Sequence, residues 1–97
     1  MEITELKNRL KKCQPYIIEK DLLPKLYFKK DECESLLDAY GHKRETEYWI
    51  FKYIFILHTN ELNIAIRLNY SQQMISYKLQ QILERNKTLI TEFLVNY

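Results

Sequence analysis

Residues 61–80 read ELNIAIRLNYSQQMISYKLQ, and their spacing decides the fold. Ile64, Ala65 and Leu68 fall on one face of a short helix. Asn69 and Tyr70 interrupt it. Ser71 is placed to cap a second helix, along which Ile75, Leu79, Ile82 and Leu83 share one face. Two helices joined by a turn of about three residues make a helix-turn-helix. Each position has a physical requirement. Ala65 is small, so the helices can approach closely. Asn69 is, after glycine, the residue type most tolerant of φ > 0. Tyr70 is expected to tuck inward, and Ile75 to anchor the second helix on the first.

Working upstream, Glu47 to about Thr59 holds Tyr48, Trp49, Ile50, Phe51, Tyr53, Ile54, Phe55, Ile56 and Leu57. A helix apolar on nearly every side belongs at the centre of a fold or under a partner. Thr46 is the expected cap of this helix, after a polar connection at residues 42–46. Asp31 to Tyr40 reads as an acidic helix with Leu36, Leu37 and Tyr40 on its apolar face. Asp31 and Glu34 have capping-box spacing, and Gly41 stands where a left-handed helix stop is expected. At the start, Ile3, Leu6, Leu10 and Cys13 repeat at helical spacing from Ile3 to about Gln14, with Lys7, Arg9, Lys11 and Lys12 mostly off that face. Pro15 ends the pattern. Residues 16–30 are less regular. Pro24 is expected to open a short helix, with Leu22, Leu23, Leu26, Tyr27 and Phe28 supplying apolar contacts.

Composition points the same way. The 97 residues include one glycine, where a globular chain has roughly 7%. Gly-rich phosphate loops, dinucleotide fingerprints and nucleophile elbows need several glycines together, and tight hairpins lean on them too. The expected fold is therefore all-α: about five helices ending in the helix-turn-helix. It divides into an N-terminal helical segment, 1–43, and a C-terminal part, 44–97, packed as one compact unit. No apolar run approaches the roughly 18 residues of a membrane span, and no leader-like apolar stretch follows the charged N-terminus. A cytoplasmic protein with reduced Cys13 and Cys33 is expected. Cys13, Cys33, His42 and His58 lack paired ligand spacing, so neither a metal site nor a cofactor is expected. No Ser/His/Asp, Cys/His or paired-carboxylate arrangement is readable, and catalysis is not expected. His58 reads as a helix-end residue.

The stretch IAIRLNYSQQMISYKLQQIL, residues 64–83, resembles the helix-turn-helix of sigma-70 region 4 and of sigma-like phage regulators. Their pattern is I-A-x-x-L-G-[YI]-S-x-x-x-V-x-x-x-L-x-x-[AI]-L. Ile64, Ala65, Leu68, Tyr70, Ser71, Leu79 and Leu83 stand on matching positions. Ile75 takes the Val/Ile position and Asn69 replaces the glycine. EYWIFKYIF, residues 47–55, stands where the family carries its preceding helix, so the resemblance spans about residues 46–90. Ile66 departs from the pattern, being apolar where the family is usually exposed, and is expected to pack against the N-terminal helices. Residues 1–43 match nothing in the family.

The resemblance implies a second helix entering the major groove of double-stranded DNA with its N-terminal residues toward base edges. The base-contact candidates are then Ser71, Gln72, Gln73, Ser76, Tyr77 and Gln80. Gln bonds adenine bidentately there, at about 1–3 kcal/mol of discrimination per good pair. Arg67, Lys78, Arg85 and Lys87 are the phosphate-contact candidates. Met74 is either core edge or contact. Family members also touch RNA polymerase, which the apolar helix and the acidic middle segment suit.

Charge is uneven. Residues 1–30 carry eight Lys/Arg against four Asp/Glu, residues 31–50 two against six, and residues 51–97 five against three, giving a net +2. The basic first helix offers additional phosphate contacts or simply a solvated face. Three function classes stay open: a sequence-specific DNA-binding regulator of transcription, possible also as a homodimer on paired half-sites; a protein-binding inhibitor or adaptor that keeps the motif as a scaffold, which the modest charge favours; and a DNA-packaging or recombination accessory.

Overall fold

The computed structural model describes residues 2–30, 37, 40–42 and 44–96. The fold is all-α, with no strand element among the described residues. Nor is any described helix long and apolar enough to cross a membrane.

Helix α1, Ile3–Lys12, buries Leu6 and Leu10, with Ile3 and Cys13 partly covered beside them. It stops two residues short of the expected end. Gln14 precedes Pro15 and is extended, at φ −67° and ψ 129°, because the proline ring disfavours helical backbone in the residue before it. Cys13 is also extended, and its thiol donates to the Arg9 carbonyl at 3.4 Å. Burial pushes this thiol up from its ordinary value, against the pull of Arg9.

Pro15 then opens α2, Pro15–Ile17, at its first position. The chain continues through a wide turn, Ile18–Leu22, and a tight 3₁₀ turn, Leu23–Lys25. Ile18, Leu22, Leu23 and Leu26 are buried. Pro24 is the second residue of the 3₁₀ turn, within the first turn that tolerates proline, so a short helical turn opens there as expected, though it runs only to Lys25. Tyr27 is exposed, whereas Phe28 reaches back to Tyr48, edge-on at 5.7 Å between ring centroids.

The helix expected over residues 31–40 lies mostly outside the described residues, as does Cys33. Gly41 is left-handed, at φ 80°; the helix it was expected to end falls mostly outside the described residues.

The aromatic-rich segment is α3, Thr46–Phe55. Tyr48, Trp49, Ile50, Phe51, Ile54 and Phe55 are all buried, so it is the central helix. Thr46 is not its cap. It lies inside the first turn, fully buried, while Glu45 holds the cap position without a side-chain bond. The helix also ends earlier than Thr59. The Leu57 N–H reaches back to the Lys52 carbonyl at 3.0 Å, and the Thr59 N–H to the Tyr53 carbonyl at 2.7 Å. His58 supports this reversal with φ 52°.

Helices α4, Glu61–Leu68, and α5, Gln72–Arg85, follow, joined by Asn69, Tyr70 and Ser71. Asn60 caps α4 by accepting from the Asn63 N–H at 2.8 Å. Asn69 is left-handed, at φ 60° and ψ 43°. The Tyr70 N–H bonds the Ala65 carbonyl at 2.9 Å and the Asn69 N–H bonds Ile66 at 3.4 Å. These two bonds form a Schellman closure, and Tyr70 packs partly buried against the core beside it. Ser71 caps α5, its hydroxyl accepting from the Met74 N–H at 3.1 Å. Ile64, Ala65, Ile75, Leu79, Ile82 and Leu83 are buried as their spacing predicted, and Leu68 is partly so.

Asn86 breaks α5 from α6, Lys87–Asn96, a separate helix that the sequence reading did not mark off. α6 buries Ile90, Phe93 and Leu94 and packs on α1. One apolar core runs through α1, the turns after it, and α3 to α6.

The left-handed turn is testable. Asn69→Gly should keep stability within a few tenths of a kcal/mol of wild type or raise it. Asn69→Val should lose about 1–2 kcal/mol, because a β-branched residue resists this conformation. Urea denaturation midpoints check both.

Candidate nucleic-acid interface

The polar side of α5 is built by elimination. Ile75, Leu79, Ile82 and Leu83 take the core side. Gln73, Tyr77 and Gln80, three and four residues apart, then share the outward face, with Gln72 and Ser76 on its flank. Ser71, Gln72, Gln73, Ser76, Tyr77 and Gln80 are all exposed, Tyr77 at 58%. All six base-contact candidates therefore lie on one accessible surface, and Met74 stands at its edge, 42% exposed.

They are not equally available. Gln72 and Gln73 sit in the first turn, where their side chains face solvent. The Tyr77 hydroxyl accepts from Gln81 at 2.9 Å, and Gln80 donates to Glu84 at 3.3 Å. Both are exposed i,i+4 pairs, worth only a few tenths of a kcal/mol and readily exchanged for another partner. The Ser76 hydroxyl donates to Glu61 at the start of α4. That ties Ser76 to the scaffold and makes it the least free of the six.

The Glu61 carboxylate also takes the Lys7 ammonium of α1 at 3.1 Å. Burial pushes this carboxyl up. The Ser76 hydroxyl, Lys7 and the more distant Lys11 outweigh that push and hold it below its ordinary value. The carboxylate therefore joins three helices: α1, α4 and α5.

The four phosphate-contact candidates separate into two kinds. Arg67 and Lys78 lie over aromatic rings, Arg67 5.7 Å from the centroid of Tyr53 and Lys78 5.6 Å from that of Tyr70. A cation on a ring face keeps its outer side open to an anion. Lys87 is exposed at the first residue of α6, past the break that ends α5. Arg85 differs. It donates to both oxygens of Glu47, at 2.5 and 3.3 Å, and lies over the Tyr27 ring. The Glu47 bond raises the Arg85 pKa above its ordinary value. Its charge is already matched within the chain.

Glu47 and Asn86 carried no signal of a site in the sequence, yet both organise this region. Glu47, 3% exposed, also accepts from the Lys29 N–H at 2.8 Å. Asn86, 2% exposed, accepts from the Tyr27 N–H at 2.8 Å and donates to the Tyr27 carbonyl at 2.9 Å. Its amide thus pairs with one residue's backbone on both sides. A single buried carboxylate or amide has no periodic pattern to reveal it.

On the other side of the turn, Leu62 and Ile66 project outward from α4, 53% and 71% exposed. Ile66 was expected under the N-terminal helices. α1 instead packs on α3, α5 and α6, leaving that side of α4 uncovered. Among the described residues, no cluster of His, Cys, Asp and Glu is suited to a metal ion.

No family model, curated protein or solved structure matches this chain.

Two measurements check these linkages. Arg85→Ala strands a buried carboxylate and should cost about 3 kcal/mol, read from urea midpoints. The Glu61 pKa is lowered on folding, so its contribution exists above the unfolded-state pKa and disappears as pH falls through the folded one. The stability gap between wild type and Glu61→Gln should therefore be present at about pH 7 and shrink as pH falls below the ordinary carboxylate range.

Proposed function

We propose that the protein is a sequence-specific DNA-binding protein acting in transcription, with α4 and α5 as a helix-turn-helix. The supporting observation is the combination at α5. A left-handed Asn69 and a Ser71 cap set the helix off from α4, and its N-terminal half offers Gln72, Gln73, Tyr77 and Gln80 to solvent. Gln side chains in that place can read adenine edges in the major groove. Arg67 and Lys78, braced on rings to either side of the turn, are suited to phosphates, with Lys87 more distant. Arg85 serves the fold in this reading, and Ser76 acts mainly as a link to Glu61. The sigma region 4 likeness of residues 64–83 agrees with this assignment.

One observation favours a second reading. Leu62 and Ile66 form an exposed apolar pair on the outer side of α4, which suits a protein partner such as RNA polymerase. In that reading α4 carries the function and α5 is scaffold.

DNA binding followed against salt separates the two. Phosphate contacts give a steep negative slope of log affinity on log salt. Gln72→Ala/Gln73→Ala/Tyr77→Ala should abolish sequence preference and keep most of that slope. Wild-type protein with no affinity for duplex DNA at low salt would end the first reading. Association with RNA polymerase lost in Ile66→Glu would then support the second.

A further inference from the structure

We propose that α1 is a second DNA-contacting element, with Lys11 gripping the phosphate backbone beside the groove that α5 reads. This rests on the reading of α5 given above. Thr4, Lys7 and Lys11 recur at three- and four-residue spacing and make one stripe along α1. Thr4 and Lys7 of this stripe border α5 directly. A cleft between the two helices is lined by Ile3, Thr4 and Lys7 on one side and by Ser76 and Gln80 on the other. The polar side of α5 and the basic side of α1 therefore form one continuous surface.

The two lysines divide the work. Lys7 is half-buried and held by Glu61. It neutralises the Glu61 carboxylate, which would otherwise repel a phosphate. Lys11 is exposed, one turn further along, and near enough to Glu61 to act on it electrostatically. With Glu61 matched by Lys7, Lys11 adds a positive charge on this side of α1. Lys12 is the natural comparison. It borders a different cleft, with Arg9, Cys13, Ile17 and the α6 residue Leu94, about 100° around α1 from Lys11.

The probe is a pool of random-sequence duplex DNA, with a selected duplex used to read preference. Affinity is measured against salt for wild type, Lys11→Ala, Lys12→Ala and the Gln72/Gln73/Tyr77 triple variant, each checked for unchanged helicity. Lys11→Ala should make the salt slope shallower by about 0.9, the value of one lost phosphate contact. It should weaken all sequences equally and leave preference intact. Lys12→Ala should leave the slope unchanged. An unaltered slope in Lys11→Ala, or an equal change in Lys12→Ala, overturns the role of α1 while the α5 reading stands. If the triple variant keeps its preference while Lys11→Ala loses slope, α1 is upheld and the α5 reading fails. No binding by wild type removes both.

Discussion

A buried carboxylate holds this fold in register. Glu47 sits in the first turn of the central helix, out of water, and an ion there is costly unless paired and fully hydrogen-bonded. Its partners come from different parts of the chain: the Arg85 guanidinium at the end of α5 and the Lys29 amide in the extended segment before the acidic region. Asn86 adds a second clamp next door by pairing with the Tyr27 backbone. Apolar packing alone would tolerate a small slide of α5 along α3. The carboxylate does not, because a displaced guanidinium would leave it unsatisfied. The outward face of α5 thus inherits its position from a polar contact on the helix's other side.

What the sequence disclosed follows from which features are periodic. The α1 stripe, the aromatic α3 and the α4–turn–α5 pattern were legible because repeated apolar spacing maps directly onto a buried face. The turn was legible because few residue types suit a left-handed backbone. The boundaries were less so. Thr46 has the chemistry of a cap, yet the core at the head of α3 draws it into the helix. Pro24 suits the first turn of a helix, and a short turn does open there, but the chain leaves it at once in extended backbone at Leu26. The polar face of α5 followed from its core by subtraction. The commitments of Arg85 to Glu47 and of Ser76 to Glu61 were hidden, since each joins residues far apart in the chain. An isolated arginine looks the same in sequence whether it faces solvent or a buried acid.

Aromatic residues have two duties here. In the core, Phe51 and Phe55 stack at 4.7 Å between centroids, and Phe28 packs on both Tyr48 and Phe51. At the rim, Tyr53 and Tyr70 are half-buried and carry a cation on the remaining face. Long basic side chains normally sample many rotamers, and fixing one costs up to about 2 kcal/mol. A ring beneath the charged head narrows that sampling before any ligand arrives, lowering the ordering cost of binding.

The left-handed positions have a mechanical consequence. Of the three among the described residues, only Gly41 is a glycine, while His58 and Asn69 carry side chains. Glycine at a joint leaves the unfolded chain many states to lose, and a residue with a side chain leaves fewer. The joints flanking α4 are each closed by backbone bonds, and ordering them costs the chain less entropy than glycine joints would. α3, α4 and α5 each pack on the other two, so the entropy spared at these two joints goes to holding that three-helix unit together.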